Sequence, residues 1–146
     1  MIYSLGRIFA RPWSDLWFDL KVYGVHKVPM RGGVLIVSNH QSMFDIPIVA
    51  SLLFTNFPKY VAKKELFRSR LTGWFLNALG AFPVDRGAAD QDMLETARQI
   101  LARGDAVLMF PEGTRIRHGS LATPKRGIGR LALETGAPVI PVAVTG

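Results

Sequence analysis

The chain has 146 residues, 49% of them hydrophobic, and a formal net charge of +7. This length suits one domain with a buried core, and the positive charge indicates an anionic partner. The absence of cysteine excludes disulfides, thiol nucleophiles and thiolate metal sites. No apolar run reaches the roughly 18 residues that a membrane-spanning helix needs.

Residues 1–20 are predicted to form an amphipathic helical segment. Apolar side chains recur at three- and four-residue spacing, with Arg7 and Arg11 on the other side of the helix. Pro12 is expected to split the segment into two short helices. Two interpretations stay open: a helix docked on its own domain, or one lying in the headgroup layer of a membrane, which Trp13 and Trp17 would suit.

The remaining residues, 21–146, alternate short apolar runs with longer amphipathic stretches. Strands are predicted at Lys21–His26, Val34–Val37, Tyr60–Ala62, within Gly80–Gly87, at Ala106–Phe110 and at Pro138–Val144, the last of them central in the sheet. Helices are predicted at Ile46–Phe57, in part of Lys63–Leu79, at Asp90–Arg103 and at Ile128–Glu134. Such alternation predicts an α/β fold, with a mostly parallel central sheet flanked by helices.

The most informative stretch is the turn that follows the Val34–Val37 strand. His40 stands where this strand ends, and Asp45 stands where the next helix begins. The four residues between them allow the carboxylate to meet the imidazole. A carboxylate on one ring nitrogen fixes the tautomer and leaves the other nitrogen as a base. The alternative is that Asp45 only caps the helix, with Pro47 in its first turn.

Two further strand ends carry unusual polar groups. The three pairs at strand ends are His40 with Asp45, Asp85 with Arg86, and Glu112 with Arg115. Ligands of α/β sheets bind beyond the carboxyl ends of the strands, so the three turns are expected to form one site. A base beside arginines indicates chemistry on a phosphate-bearing molecule, because the planar guanidinium suits a pair of phosphate oxygens.

Four sequence blocks resemble those of the glycerolipid acyltransferases of the 1-acylglycerol-3-phosphate acyltransferase type. They are Asn39-His40 with Asp45 (an H-x4-D block), Gly80–Arg86, Phe110–Arg115 and Val139–Val142. The first and third are specific together, and the resemblance extends from about Val22 to the C-terminus. Family members continue beyond the fourth block, so residues 21–146 are interpreted as an acyltransferase domain lacking its C-terminal part.

The resemblance implies transfer of a fatty acyl group from an acyl-CoA or acyl-carrier-protein thioester to the free hydroxyl of a lysophospholipid. The expected acceptor is 1-acyl-sn-glycerol-3-phosphate, giving phosphatidic acid. By position, His40 would be the general base and Asp45 would orient it. Direct transfer needs no covalent acyl-enzyme, so Ser38 and Ser42 are interpreted as turn residues.

The same resemblance implies an acceptor-binding set in the second and third blocks. Arg86 and Arg115 would hold the phosphate with help from Lys125, and Thr114 belongs to the same set. Glu112 would bond the glycerol backbone or brace the loop. The Gly113 backbone N–H is the expected oxyanion donor. Phe82, Met109 and Phe110 are assigned to the core instead of an acyl tunnel.

The implied partners are the lysophospholipid, the acyl-CoA or acyl-carrier protein, and an anionic membrane surface. No cofactor and no metal are expected, since His26 and His118 lack partners at ligand spacing. Nucleic acid is not expected, because no recognition motif accompanies the basic residues. The expected location is peripheral or monotopic, on the cytoplasmic face of the inner or plasma membrane.

Three other functions stay open. They are acylation of another lysolipid, a non-catalytic domain that binds anionic lipid, and a hydrolase that uses the His40–Asp45 pair on water. A phosphate-binding loop argues against the hydrolase, because water needs no phosphate site.

Overall fold

The computed structural model describes residues 12, 16–17, 19–29, 31–52, 58–84, 89–116 and 122–145. The predicted amphipathic segment at 1–20 therefore lies largely outside the described residues and stays a prediction. Within the described residues, no helix is both long enough and apolar enough to cross a bilayer.

Five parallel strands form a single sheet, which confirms the predicted α/β class. They are β1 (Val34–Ser38), β2 (Lys59–Lys63), β3 (Ala81–Val84), β4 (Ala106–Met109) and β5 (Val139–Val142). Their order across the sheet is β3-β2-β4-β1-β5. Of the three inner strands, β1 and β4 are almost entirely apolar and buried, as is typical of parallel strands covered on both faces.

In the described parts of the connections, four helices link the strands. They are α1 (Asp45–Leu52), α2 (Arg70–Ala78), α3 (Ala89–Ala102) and α4 (Arg126–Thr135). Short 3₁₀ helices occupy Val25–Lys27 and Lys64–Phe67. The predicted helices are confirmed within a few residues at each end, although residues 53–57 of the first lie outside the described part. The apolar stripe of α3 faces inward as predicted, with Ala97 and Leu101 buried.

The sheet separates two hydrophobic clusters. Successive side chains of a strand point to opposite faces of the sheet, so neighbouring residues belong to different clusters. In β1, Val34 and Ile36 belong to one cluster and Leu35 to the other. The first cluster includes Tyr60, whose burial raises the pKa of its hydroxyl to about 12. The second cluster includes Leu131 of α4. Both faces of the sheet are therefore covered, which leaves the strand ends as the places where a ligand can reach the sheet.

Two predictions about strands are wrong. Lys21–His26 is not a strand, because Gly24 adopts a left-handed φ of 77° and the 3₁₀ turn Val25–Lys27 follows it. Its residues Val22, Tyr23 and Val25 favour a strand by type, but none of them is buried. The β5 strand is not central: among the described residues, only β1 pairs with it. Pro141 within β5 has no N–H to donate, which is tolerated at a sheet edge.

Candidate active site

The site forms at the carboxyl ends of two adjacent strands. β1 and β4 pair in register up to Val37 with Met109, so the segments that follow them leave the sheet side by side. The turn after β1 carries His40, and the loop after β4 carries Glu112. Topology therefore brings together the first and third sequence blocks, which lie far apart in the chain.

The predicted pairing of His40 with Asp45 is present. The Oδ2 atom of Asp45 lies 2.9 Å from the Nδ1 atom of His40. The same oxygen accepts the backbone N–H groups of Gln41 at 2.7 Å and Ser42 at 2.8 Å. The carboxylate is buried and faces back into the turn, so these bonds distinguish it from a simple cap of α1. Both the turn and the imidazole are thus organised by one oxygen atom.

The loop after β4 holds the backbone of His40 on both sides. The His40 N–H donates to Oε2 of Glu112 at 3.1 Å, and the His40 carbonyl accepts the N–H of Ile116 at 2.8 Å. Glu112 is buried, so its carboxylate has left water in order to make this contact. Of the two roles predicted for Glu112, this geometry matches bracing of the loop.

An aromatic ring covers one face of the imidazole. The rings of Phe110 and His40 stack with centroids 4.0 Å apart and planes 19° apart. Phe110 packs against the core cluster, as predicted, and it also contacts the site because it stands at the end of β4, where the chain leaves the sheet. Phe82 and Met109 are buried as predicted. The available signal was the position of Phe110, immediately before the Pro111 turn.

A cavity of about 380 Å³ lies beside His40. Most of its lining is apolar, including Val61, Met93, Leu94, Met109, Phe110 and Ile128. Two cationic residues, Lys63 and Lys125, also line it. Lys63 was missed by sequence reasoning, although its place at the end of β2 was a signal of the same kind as the other strand ends. An apolar cavity with a few polar groups is typical of small-molecule sites.

Gly113 lies against Lys125 at this cavity. Its φ is +68°, and a Cβ atom built on it would lie 2.9 Å from Cε of Lys125. The Gly113 N–H donates to the Phe110 carbonyl at 3.0 Å and closes the turn. The Gly113 N–H is therefore engaged in the turn, and its role as oxyanion donor stays a prediction. The missing side chain makes room for Lys125.

Of the remaining predicted site residues, the structure describes Thr114 and Arg115 but not Arg86. Thr114 and Arg115 are exposed on the loop after β4, within three residues of Glu112. Arg86, with residues 85–88, lies outside the described residues, so its predicted role stays untested. No three His, Asp or Glu side chains in the described ranges are close enough together to hold a metal ion.

Asn39 ties the end of the chain to the His40 turn. Its side-chain N–H donates to the Val144 carbonyl at 2.8 Å, and its side-chain oxygen accepts the Val144 N–H at 2.8 Å. The carboxamide thus imitates a backbone partner for the residues after β5. Sequence reasoning placed Asn39 in the first block without giving it a role, because its partner lies 105 residues away.

Comparison with known proteins agrees with this architecture. A family model described as Acyltransferase matches residues 19–145. The chain is 33% identical over 127 residues to the 1-acyl-sn-glycerol-3-phosphate acyltransferase of Bacillus subtilis, covering 87% of this chain and 63% of that one. It is 34% identical over 137 residues to a lyso-ornithine lipid O-acyltransferase of Pseudomonas aeruginosa, covering 93% of this chain and 51% of that one.

Among solved structures, the 1-acyl-sn-glycerophosphate acyltransferase PlsC of Thermotoga maritima superimposes with a TM-score of 0.76 at 27% identity. The match covers 99% of this chain and 58% of that one. The chain thus spans between half and two thirds of the length of each of these three proteins. Both the family model and the shared fold include the His40 turn and the loop after β4. The chain belongs to the acyltransferase family.

Proposed function

We propose that the chain transfers a fatty acyl group from a thioester to the free hydroxyl of a lysophospholipid. The observation that carries this proposal is the contact of 2.9 Å between Asp45 and Nδ1 of His40, beside an apolar cavity of about 380 Å³. The pair supplies a base, and the cavity is suited to a hydrocarbon chain. Membership of the acyltransferase family supports the reaction class.

The proposed base is the Nε2 atom of His40. With Nδ1 engaged by Asp45, Nε2 makes no hydrogen bond within the described residues. It would take the proton of the acceptor hydroxyl while the oxygen attacks the thioester carbonyl. Asp45 would stabilise the imidazolium that forms, and the stacked Phe110 would restrict rotation of the ring.

The bond changes balance without a further reagent. A C–O bond forms between the acceptor oxygen and the acyl carbon, and the C–S bond of the thioester breaks. The thiolate that leaves takes up the proton held by His40, which regenerates the base. A thioester is already activated, so the reaction requires no cofactor and no covalent acyl-enzyme. The Ser38 hydroxyl is buried and donates to the Asn39 carbonyl, as expected of a turn residue and not of a nucleophile.

The acceptor phosphate is proposed to bind at the cationic side of the cavity. Arg115 is exposed on the loop that braces His40, and Lys125 lines the cavity itself. Arg86 of the second block and Lys63 at the end of β2 would complete the set. Charge-assisted bonds to phosphate are worth roughly 1.5–3 kcal/mol each, so two or three of them can select a phosphorylated acceptor.

1-Acyl-sn-glycerol-3-phosphate is the proposed acceptor, in agreement with the name of the Bacillus subtilis relative. A lyso-aminolipid is a second candidate, because the Pseudomonas aeruginosa relative is named for a lyso-ornithine lipid. The proposed donor is acyl-CoA or acyl-carrier protein. Since the acceptor resides in a bilayer, the chain is proposed to act at an anionic membrane surface on its cytoplasmic side.

The test combines purified protein, phospholipid vesicles and a long-chain acyl-CoA, with and without 1-acyl-sn-glycerol-3-phosphate. Release of free CoA and formation of diacyl product are measured together. We expect acceptor-dependent release with product in equal amount. Substitution His40→Ala should abolish both, whereas His26→Ala, at an exposed histidine of the Val25–Lys27 turn, should leave them unchanged.

Other outcomes would overturn the proposal in distinguishable ways. Release of CoA without acceptor would indicate a hydrolase. Product from a lyso-aminolipid but not from the phosphorylated acceptor would change the substrate and keep the reaction. No release by a folded, vesicle-bound chain would indicate a domain that binds lipid without chemistry.

A further inference from the structure

Helix α2 is apolar on two opposite faces. Its inner face carries Leu76, which packs with Leu79 against the core cluster, and the buried Gly73. Its outer face carries Leu71, Trp74 and Phe75, which are 75%, 59% and 56% exposed. A helix that is apolar all round is normally buried on all sides. Within the described residues, the outer face of α2 has no such cover.

The preceding 3₁₀ helix extends this outer face. Leu66 in that turn is 51% exposed. The Thr72 hydroxyl donates to the Leu66 carbonyl at 2.8 Å, which ties the turn to the first turn of α2. We call Leu66, Leu71, Trp74 and Phe75 the α2 surface. All four residues stand on helical structure.

Positive charge lies at the N-terminal end of the α2 surface. Exposed cationic side chains lie at the 3₁₀ helix and at the start of α2, and these are Lys63, Lys64, Arg68 and Arg70. Between residues 63 and 78 the only acidic residue is Glu65. Aromatic and aliphatic side chains flanked by lysine and arginine are typical of surfaces that lie in the headgroup layer of an anionic bilayer.

The α2 surface begins at the proposed active site. Lys63 ends β2 and lines the cavity beside His40, and the 3₁₀ helix starts at the next residue. A bilayer in contact with the α2 surface would therefore lie next to the cavity. An acceptor lipid could then reach His40 without crossing water.

We infer that the α2 surface docks the chain on an anionic phospholipid bilayer, with Leu71, Trp74 and Phe75 inserted among the lipids and the flanking cations on the headgroups. This inference deepens the proposed function by assigning its membrane contact, but its test does not depend on turnover. A second copy of the chain fits the surface less well, because a two-fold contact would bring like charges face to face. An acidic carrier protein would match the charges but would not account for the exposure of the three apolar side chains.

The first experiment measures partition of the full chain onto vesicles of phosphatidylcholine with and without phosphatidylglycerol. We expect binding that requires the anionic lipid. Leu71→Ser combined with Phe75→Ser should lower the partition coefficient at least about tenfold, because two apolar side chains are lost from the interface. Leu133→Ser, at a side chain that is 88% exposed on α4, is the matched control and should have no effect.

Charge is tested separately. Arg68→Gln and Arg70→Gln should each weaken binding about fivefold. Arg103→Gln is the matched control, because Arg103 is exposed in the turn between α3 and β4, at the opposite end of the sheet from His40. Equal losses from all three substitutions would show that only net charge matters and would overturn the assigned surface.

The second experiment asks whether Trp74 enters the bilayer. In a chain carrying Trp13→Phe and Trp17→Phe, Trp74 is the only tryptophan. Its fluorescence should shift to shorter wavelength on anionic vesicles and be quenched by lipids brominated on the acyl chain. Binding without quenching would place the contact elsewhere and refute the inference, as would binding of an acidic carrier protein at this surface with none to vesicles.

The two proposals can fail independently. Vesicle binding through the α2 surface by a His40→Ala chain would support the inference even where turnover is absent. Turnover on dispersed short-chain substrates, with no vesicle binding, would support the reaction and overturn the docking surface.

Discussion

Replacement of Asp45 by asparagine tests the proposed chemistry with the smallest change in shape. All three hydrogen bonds to this side chain converge on Oδ2, so an amide oxygen at that place can keep their geometry. What is lost is the negative charge beside His40. Two unit charges about 4 Å apart attract by about 4 kcal/mol at an effective dielectric constant of about 20. Because this attraction acts when the imidazolium forms, kcat should fall by about 10²–10³, with little change in the KM of either substrate.

The assay is steady-state CoA release in the presence of acceptor, for the wild-type chain and for Asp45→Asn, His40→Ala and the double variant. If Asp45 acts through His40, the double variant should be about as slow as His40→Ala alone. Circular dichroism and urea unfolding establish that each variant is folded. Independent, multiplicative losses in the double variant would refute the reasoning, and so would a change confined to the KM values.

Three other outcomes are expected. Arg115→Ala should raise the KM of the phosphorylated acceptor about tenfold to a hundredfold without changing that of the donor, whereas Arg103→Ala should change neither; equal effects of Arg115→Ala on both substrates would argue against a phosphate site. Gly33→Ala should lower the free energy of unfolding in urea by more than about 2 kcal/mol, because the added Cβ would lie 2.2 Å from the carbonyl oxygen of Leu101, a backbone atom that cannot move aside; a loss below about 0.5 kcal/mol would contradict this packing. Burial raises the pKa of the Tyr60 hydroxyl to about 12, because the folded state disfavours its ionised form. The stability associated with this group should be fully present below about pH 10, and the free energy of unfolding should decline by at most about 3 kcal/mol as the pH rises towards 12. The decline should be smaller in Tyr60→Phe, and identical profiles would count against burial of this hydroxyl.

Most of the fold could be predicted because the strands of a parallel sheet are marked by composition. Val34–Val37 and Ala106–Phe110 are short, continuous apolar runs, which are typical of buried parallel strands and not of surface helices or loops. The failures came where local pattern and tertiary context differ. Val22, Tyr23 and Val25 are residue types that favour a strand, but Gly24 turns the chain with positive φ. The edge position of β5 depends on which strands pair, and composition does not encode pairing.

The meeting of the first and third blocks was predictable from the strand ends, but the individual contacts of the candidate site were predictable only at short range. Only four residues lie between His40 and Asp45, so their pairing follows from one turn. The bond from the His40 N–H to Glu112 spans 72 residues, and no local pattern indicates it. Similarly, the stacking of Phe110 on His40 requires β1 and β4 to be neighbours. The hydrogen bond of the Gly113 N–H to the Phe110 carbonyl depends on the shape of the turn, which no local pattern indicates.

The order of the strands has a consequence for how the protein is made. β1 lies between β4 and β5, so the His40 turn follows a strand whose two neighbours are both synthesised much later. Contacts between residues far apart in the chain cost more loop-closure entropy and form slowly. While the ribosome has not yet released β5, the short apolar strand β1 lacks at least one of its two neighbours, and exposed strands of this kind aggregate readily. We therefore expect nascent chains that end before Val139 to bind chaperones that hold apolar segments, and to carry His40 and Asp45 without the second neighbour of their strand.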